Sequence, residues 1–390
     1  MPKTSPNAEK PPAVSVFVPY YNDRAFLAQC IESILAQTRG DFELILLNHA
    51  SDDGCRQIAR SFRDPRIRHI DMPSNLGAGS GVLILEFLKA ARGRYAKLFC
   101  ADDMMRPDCL ERLAGHMEAH PETDVAFGDI EYVGKDGGDL GTKWSLRRPH
   151  FSFGMSGAEC LGLLIRGISF MPYPASIAKT EVLREARIDK SMVMMLDMSI
   201  WADLIIKGKK FDFIPDAVVN YRVHENQTSS SKRRDIAYRR SHFESVKYCD
   251  IFYSIRDPEL LKSVLPDSKF AGKIKAGETR AEIFEFAVAE HYLGCKNAPY
   301  KINGYARMHA LMQDDSARAA IGGEFGFGIR EFREMYSKPE PHQKSAKEVG
   351  LGGLLYLLLR RLWIIVTFKG IRHKPVSYTH LRAHETCADL

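Results

Sequence analysis

Several features are missing from the 390-residue sequence, and each absence narrows the range of functions. Its eight cysteines, at 30, 55, 100, 109, 160, 249, 295 and 387, include no CxxC pair. Structural zinc modules rely on such closely spaced thiols, so the spacing argues against a zinc site. It fits scattered thiols kept reduced in a cytoplasm. Nor is there an unbroken apolar run of about 20 residues, the length a spanning helix needs. The longest apolar stretch, LGGLLYLLLRRLWIIVTFKGIRHK at 351–374, is interrupted by Arg360 and Arg361. MPKTSPNAEKPPA at the start has no apolar core of a signal peptide, and residues 1–12 are read as a disordered lead-in. Net charge is also scarce over most of the chain. Of the formal +6, residues 351–375 carry +5 and residues 376–390 carry −1, leaving about +2 for the first 350. A body that close to neutral excludes a general nucleic-acid surface.

What is present is an ordinary globular composition, 45% hydrophobic and 27% charged, without internal repeats. The length allows two domains, or one large domain with additions. VSVFV (14–18), ELILL (43–47), IRHID (67–71) and YAKLFC (95–100) read as strands. Between them, FLAQCIESILAQ (26–37), CRQIARSF (55–62) and residues 81–91 have helical spacing. Such alternation predicts an α/β fold, a mostly parallel Rossmann-like sheet with helices on both faces. After residue 134 a glycine-rich stretch follows, and DMSIWADLIIKG (197–208) is a helix stopped by Gly208. From 232 to 345 the pattern is largely helical and polar.

The stretch FCADDMMRP at 99–107 raises the main chemical question. Asp102 and Asp103 close an apolar strand, and open α/β sheets bind ligands at strand carboxyl ends. Neighbouring carboxylates repel unless a cation lies between them or one is protonated. A turn followed by a helix opening at Pro107 is the plainer alternative, since aspartate favours turns and caps.

The assembled pattern over residues 13–228 resembles a family-2 inverting glycosyltransferase with the GT-A fold. The match is carried by VSVFVPYYN (14–22), AQTRGDFELILLNHASDDG (36–54), NLG (75–77), ARGRYAKLFCADDMMRPDCL (91–110), LDMSIWADLIIKG and YRVHENQTS. The resemblance implies a GT-A domain over 13–231, followed by a helical C-terminal extension over 232–345. It also implies transfer of a sugar from a nucleotide-diphosphate sugar, with a UDP-sugar the leading donor, and a Mn²⁺ or Mg²⁺ cofactor. Such a hard cation prefers carboxylate and phosphate oxygens and can ease departure of a diphosphate. Carried over by position, Asp103 is the metal ligand and Asp102 faces the ribose or the metal. His224, ending YRVH, touches metal or phosphate, or is structural.

Donor-site residues in the same comparison are Pro19, Tyr21, Asn48, His49 and Asp102. The family commonly has an Asp pair where this chain has Asn48-His49, and another acid where it has Cys100. Tyr21 is placed to stack on a base or to pack. Inverting transfer needs a general base for the acceptor hydroxyl. Four residues before Trp201 stands Asp197, preceded by Leu196 where the family has Glu. A carboxylate favoured by the helix dipole is the alternative reading.

The basic segment 346–375 reads as an amphipathic helix lying on a membrane surface, with Trp363 and Phe368 in the acyl boundary. A helix docked on the protein's own core is the other possibility. SYTHLRAHET (377–386) resembles translated sequencing-adaptor read-through, so 376–390 is read as an artefactual tail. The implied acceptor is a saccharide or lipid-linked saccharide. The implied setting is bacterial envelope or exopolysaccharide synthesis, in the cytoplasm and peripheral on the inner face of its membrane. Two rivals are a nucleotidyltransferase, for which PYYNDRAF lacks a glycine- and basic-rich phosphate loop, and a catalytically degenerate relative acting as a membrane-associated assembly partner.

Overall fold

The computed structural model describes residues 11–77, 81–148, 151–225, 227 and 234–337. The basic segment 351–374 and the tail after it lie outside the described residues.

Four strands alternate with three helices at the start, as the periodicity predicts. They are β1 (Val14–Tyr20), α1 (Leu27–Leu35), β2 (Phe42–Asn48), α2 (Cys55–Ser61), β3 (Ile67–Asp71), α3 (Gly81–Ala90) and β4 (Tyr95–Leu98). β3, β2, β1 and β4 lie side by side and parallel. β1 and β2 are buried on both faces, which explains their unbroken apolar runs. Alternate residues feed opposite cores: Val16, Val18, Leu44 and Leu46 face one, Phe17, Ile45 and Leu47 the other.

Beyond β4 short antiparallel pairs enter the sheet, although its pairing stays mostly parallel, as expected. β8 (Ser176–Lys179) runs antiparallel between β4 and β6 (Val125–Val133). β6 pairs parallel with β9 (Phe211–Arg222) and antiparallel with β7 (Asp139–Lys143). One difference from the expected helix opening at Pro107 falls just after the aspartates. Met104–Met105 form a short strand, β5, antiparallel to β9, and α4 begins only at Cys109 (Cys109–Ala119). Met105 is almost fully buried there, in the strand at the edge of the sheet.

α5 (Gly157–Leu164), α6 (Thr180–Glu185) and α7 (Leu196–Ile206) complete this part. Just beyond the end of α7 stands Gly208, whose φ of 77° is the left-handed conformation a helix stop needs. Residues 234–337 are helical, as expected: α8 (Arg234–Tyr248), α9 (Pro258–Val264), α10 (Ala281–Gly294), α11 (Ala298–Gln313), α12 (Asp315–Phe325) and α13 (Ile329–Ser337). Phe252, Phe286 and Met308 from this region share one apolar cluster with Phe17 and Trp201, so the helices cover one face of the sheet. Among the described residues no helix is long and apolar enough to cross a membrane.

Candidate active site

The carboxyl ends of β1 and β4 and the end of β9 converge on the aspartate pair. The Asp103 N–H reaches back to the Cys100 carbonyl at 3.4 Å, closing a turn at the end of the strand. Asp103 is 1% exposed. Its Oδ1 accepts the Arg222 backbone N–H at 2.9 Å, while its Oδ2 is buried with no hydrogen-bond partner. Burial and the neighbouring Asp102 push its carboxyl well above the usual carboxylate range. Asp102 is half-buried, and its Oδ2 lies 3.0 Å from His224 Nε2. The His224 ring packs on Phe26 with centroids 4.5 Å apart. Cys100 Sγ and one oxygen from each aspartate lie within 4.8 Å of one another. A buried carboxylate oxygen without a donor, beside a second carboxylate, is the chemistry of a cation receptor.

Arg222 holds this corner together. Fully buried, it donates through Nε to the Asp102 carbonyl (2.8 Å), through Nη1 to the Lys135 carbonyl (2.6 Å) and through Nη2 to Gln29 Oε1 (2.7 Å). Its guanidinium lies over the Phe26 ring at 4.9 Å. Behind the pair, Lys97 on β4 is buried and donates to the carbonyls of Leu98 and Pro174. Burial lowers its ammonium to about 8.

The donor-side residues divide into two groups. Pro19 lies opposite Leu47 in the register, beyond Phe17, where β1 last pairs with β4, so its missing N–H costs no ladder bond there. Tyr21 is 44% exposed and stands edge-on to His49, centroids 6.2 Å apart. By contrast, Asn48 and His49 are turned inward. Asn48 Nδ2 donates to Asp71 Oδ1 and its Oδ1 accepts from Ser51 N–H, both at 3.0 Å. His49 Nε2 accepts the Leu76 N–H at 2.8 Å and so is neutral, and burial lowers its pKa. This bond fixes the NLG segment. Asp23, from the loop after β1, is half-buried and raised to about 6 by burial, with Asp102 and Asp53 adding to the rise. Asn22 and Asp52 exchange two hydrogen bonds, at 2.8 and 3.1 Å, tying the loops after β1 and β2 together.

Asp197 sits in the first turn of α7, half-buried, its Oδ1 accepting the Met198 N–H at 2.8 Å. Burial, with a contribution from Glu244, raises its carboxyl to about 6. Burial raises the Tyr173 hydroxyl well above its usual range, with Cys100 and Asp197 adding to the rise. Glu244, from α8, accepts the backbone N–H groups of Val193 (3.1 Å), Met194 (2.7 Å) and Met195 (2.9 Å) with a single oxygen. It thereby holds the segment that enters α7, where the helix dipole also favours an anion.

Asp102, Asp103 and His224 are thus brought together, Pro19 stands near the end of β1 with Tyr21 just after it, and Asp197 stands apart in the first turn of α7. Asn48 and His49 brace the edge beside β3. Sequence reasoning missed Arg222, Glu244, Lys97 and Asp23. Lys97, a lone lysine inside an apolar strand, was the one signal available for any of them.

Residues 15–181 match the sequence model of the family described as Glycosyl transferase family 2. An uncharacterized glycosyltransferase of Methanocaldococcus jannaschii is 26% identical over 231 residues, covering 58% of this chain and 76% of that relative. TuaG of Bacillus subtilis, a glycosyltransferase named for teichuronic acid biosynthesis, is 25% identical over 271 residues, covering 62% of this chain and 95% of TuaG. The succinoglycan biosynthesis protein ExoO of Rhizobium meliloti is 31% identical over 135 residues, covering 35% of this chain and 38% of ExoO.

Proposed function

This chain belongs to glycosyl transferase family 2 through residues 15–181, and from that premise we propose that it moves a sugar from a nucleotide-diphosphate sugar to a hydroxyl acceptor. The transfer inverts the anomeric carbon and depends on a divalent cation at the aspartate pair. The observation that carries this reading is the buried, partnerless Oδ2 of Asp103 beside Asp102. Mn²⁺ or Mg²⁺ suits such oxygens, and Asp103 and Asp102 would hold it. Bound there, it would neutralise the diphosphate and ease its departure. His224 and Arg222 orient the carboxylates from the side of β9.

Asp197 takes the proton of the acceptor hydroxyl as that oxygen attacks. With its pKa near 6 it is ionised at neutral pH, yet more basic than an ordinary aspartate. Tyr21 offers an exposed ring for stacking on the donor base, and a UDP-sugar is the donor proposed. A saccharide or lipid-linked saccharide is the acceptor. The names of TuaG and ExoO support a role in envelope or exopolysaccharide assembly. Residues 351–374 would hold the enzyme on the inner face of the cytoplasmic membrane, their five cations at anionic headgroups.

Thermal-shift titration with UDP, with and without Mn²⁺, tests the cation reading. Mn²⁺ is expected to strengthen UDP binding to wild type, and Asp103→Asn to abolish that gain. Equal, metal-independent binding to both proteins would contradict it.

A further inference from the structure

We propose that Cys100 is a third ligand of the cation site, so that the site accepts thiophilic divalent ions such as Co²⁺ alongside Mn²⁺. This rests on the reading that the aspartate pair holds a cation. The turn from Cys100 to Asp103 is closed by the Asp103 N–H on the Cys100 carbonyl, at 3.4 Å. It gathers Cys100 Sγ and one oxygen each of Asp102 and Asp103 within 4.8 Å, a spread that one ion can bridge. Independently, Asp103 Oδ2 belongs to this cluster's residues, is buried and has no donor. Cys100 as a whole is half-buried, just past the end of β4.

A thiolate is a soft ligand, and replacing a carboxylate by sulfur shifts preference from Mg²⁺ and Mn²⁺ towards Co²⁺ and Zn²⁺. Coordination converts the Cys100 thiol to thiolate and releases its proton to solvent, with no change of oxidation state. The site would then differ from an all-oxygen diphosphate–metal site in which metals it selects.

The test uses the reduced full-length chain and Co²⁺ alone. Wild type is expected to show a thiolate-to-cobalt charge-transfer band in the near ultraviolet at one equivalent. Asp103→Asn should lose that band. Cys100→Ser should lose it too while still binding Co²⁺, with affinity weakened about 10-fold or more, and should change Mn²⁺ affinity less. Co²⁺ bound to wild type without the band would overturn the inference. So would a band that persists in Cys100→Ser, since it would then come from another thiol such as Cys295 beside His291. If wild type binds neither Co²⁺ nor Mn²⁺, the cation reading itself fails and takes this inference with it. Should a variant misfold, the wild-type spectrum still separates a thiolate-bound ion from one held by oxygen alone.

Discussion

Arg222 donates its backbone N–H to Asp103 Oδ1 at 2.9 Å, across 119 residues of sequence. Through this bond and the Arg222 guanidinium, the end of β9 fixes the turn that carries both aspartates. Arg222→Met keeps the bulk and removes the donors, leaving the carbonyls of Asp102 and Lys135 and the Gln29 amide oxygen without partners. Loss of such buried bonds to a charged group is expected to destabilise the fold by about 3 kcal/mol. Urea denaturation reads this directly. An unchanged midpoint would mean that the corner is held by other contacts.

Glu244 makes a second long-range tie, from α8 to the segment entering α7. Glu244→Ala should lower kcat by displacing Asp197 while leaving UDP binding intact, and should cost about 1–3 kcal/mol of stability. Glu244→Gln retains an acceptor but drops the charge that helps raise Asp197. Its pH–rate profile should therefore shift its acid limb to lower pH. A decrease in UDP affinity equal to that in kcat would place Glu244 on the donor side instead.

The raised carboxyl of Asp197 sets the pH dependence. A base must be ionised, so kcat should fall about tenfold per unit below roughly pH 6 and level off above it. For stability the sign is the reverse. Because the folded pKa of about 6 exceeds the unfolded value of about 3.9, the folded state holds this proton more tightly. That stabilisation is present below pH 4 and is lost as the pH rises to 6. At pH 7.5, Asp197→Asn should therefore be more stable than wild type, by about 1–2 kcal/mol. A lower melting temperature for the variant would contradict the burial argument.

Ala50 adopts φ 57°, a left-handed conformation, in the loop after β2. A Cβ disfavours that region by about 1 kcal/mol. Ala50→Gly is expected to raise stability by about that amount, as measured by thermal melting. A decrease would show that glycine's greater freedom in the unfolded chain dominates.

The first half of the sheet was legible because each strand or helix is a local apolar pattern bounded by turns. The position of the aspartate pair followed in the same way, as the end of an apolar strand. The second half was not, because β8 and β9 pair with β4 and β6 across tens of residues, and no local pattern states which strands meet or in which direction. The same limit hid Arg222 and Glu244, whose partners lie far away in sequence. Asn48 and His49 illustrate the limit at the scale of one side chain. Asn48 Nδ2 donates to Asp71 and His49 Nε2 accepts the Leu76 N–H, partners that residue type alone does not state.

Asp197 offers the most direct test of sugar transfer by base-assisted attack beside a cation site. Asp197→Asn keeps the shape and the acceptor for the Met198 N–H but cannot take a proton. With a transferable donor and acceptor in hand, kcat should fall by about 10² to 10⁴, while donor and Mn²⁺ affinity stay at wild-type values. Transfer at near wild-type rate would contradict this and move the base elsewhere in the site.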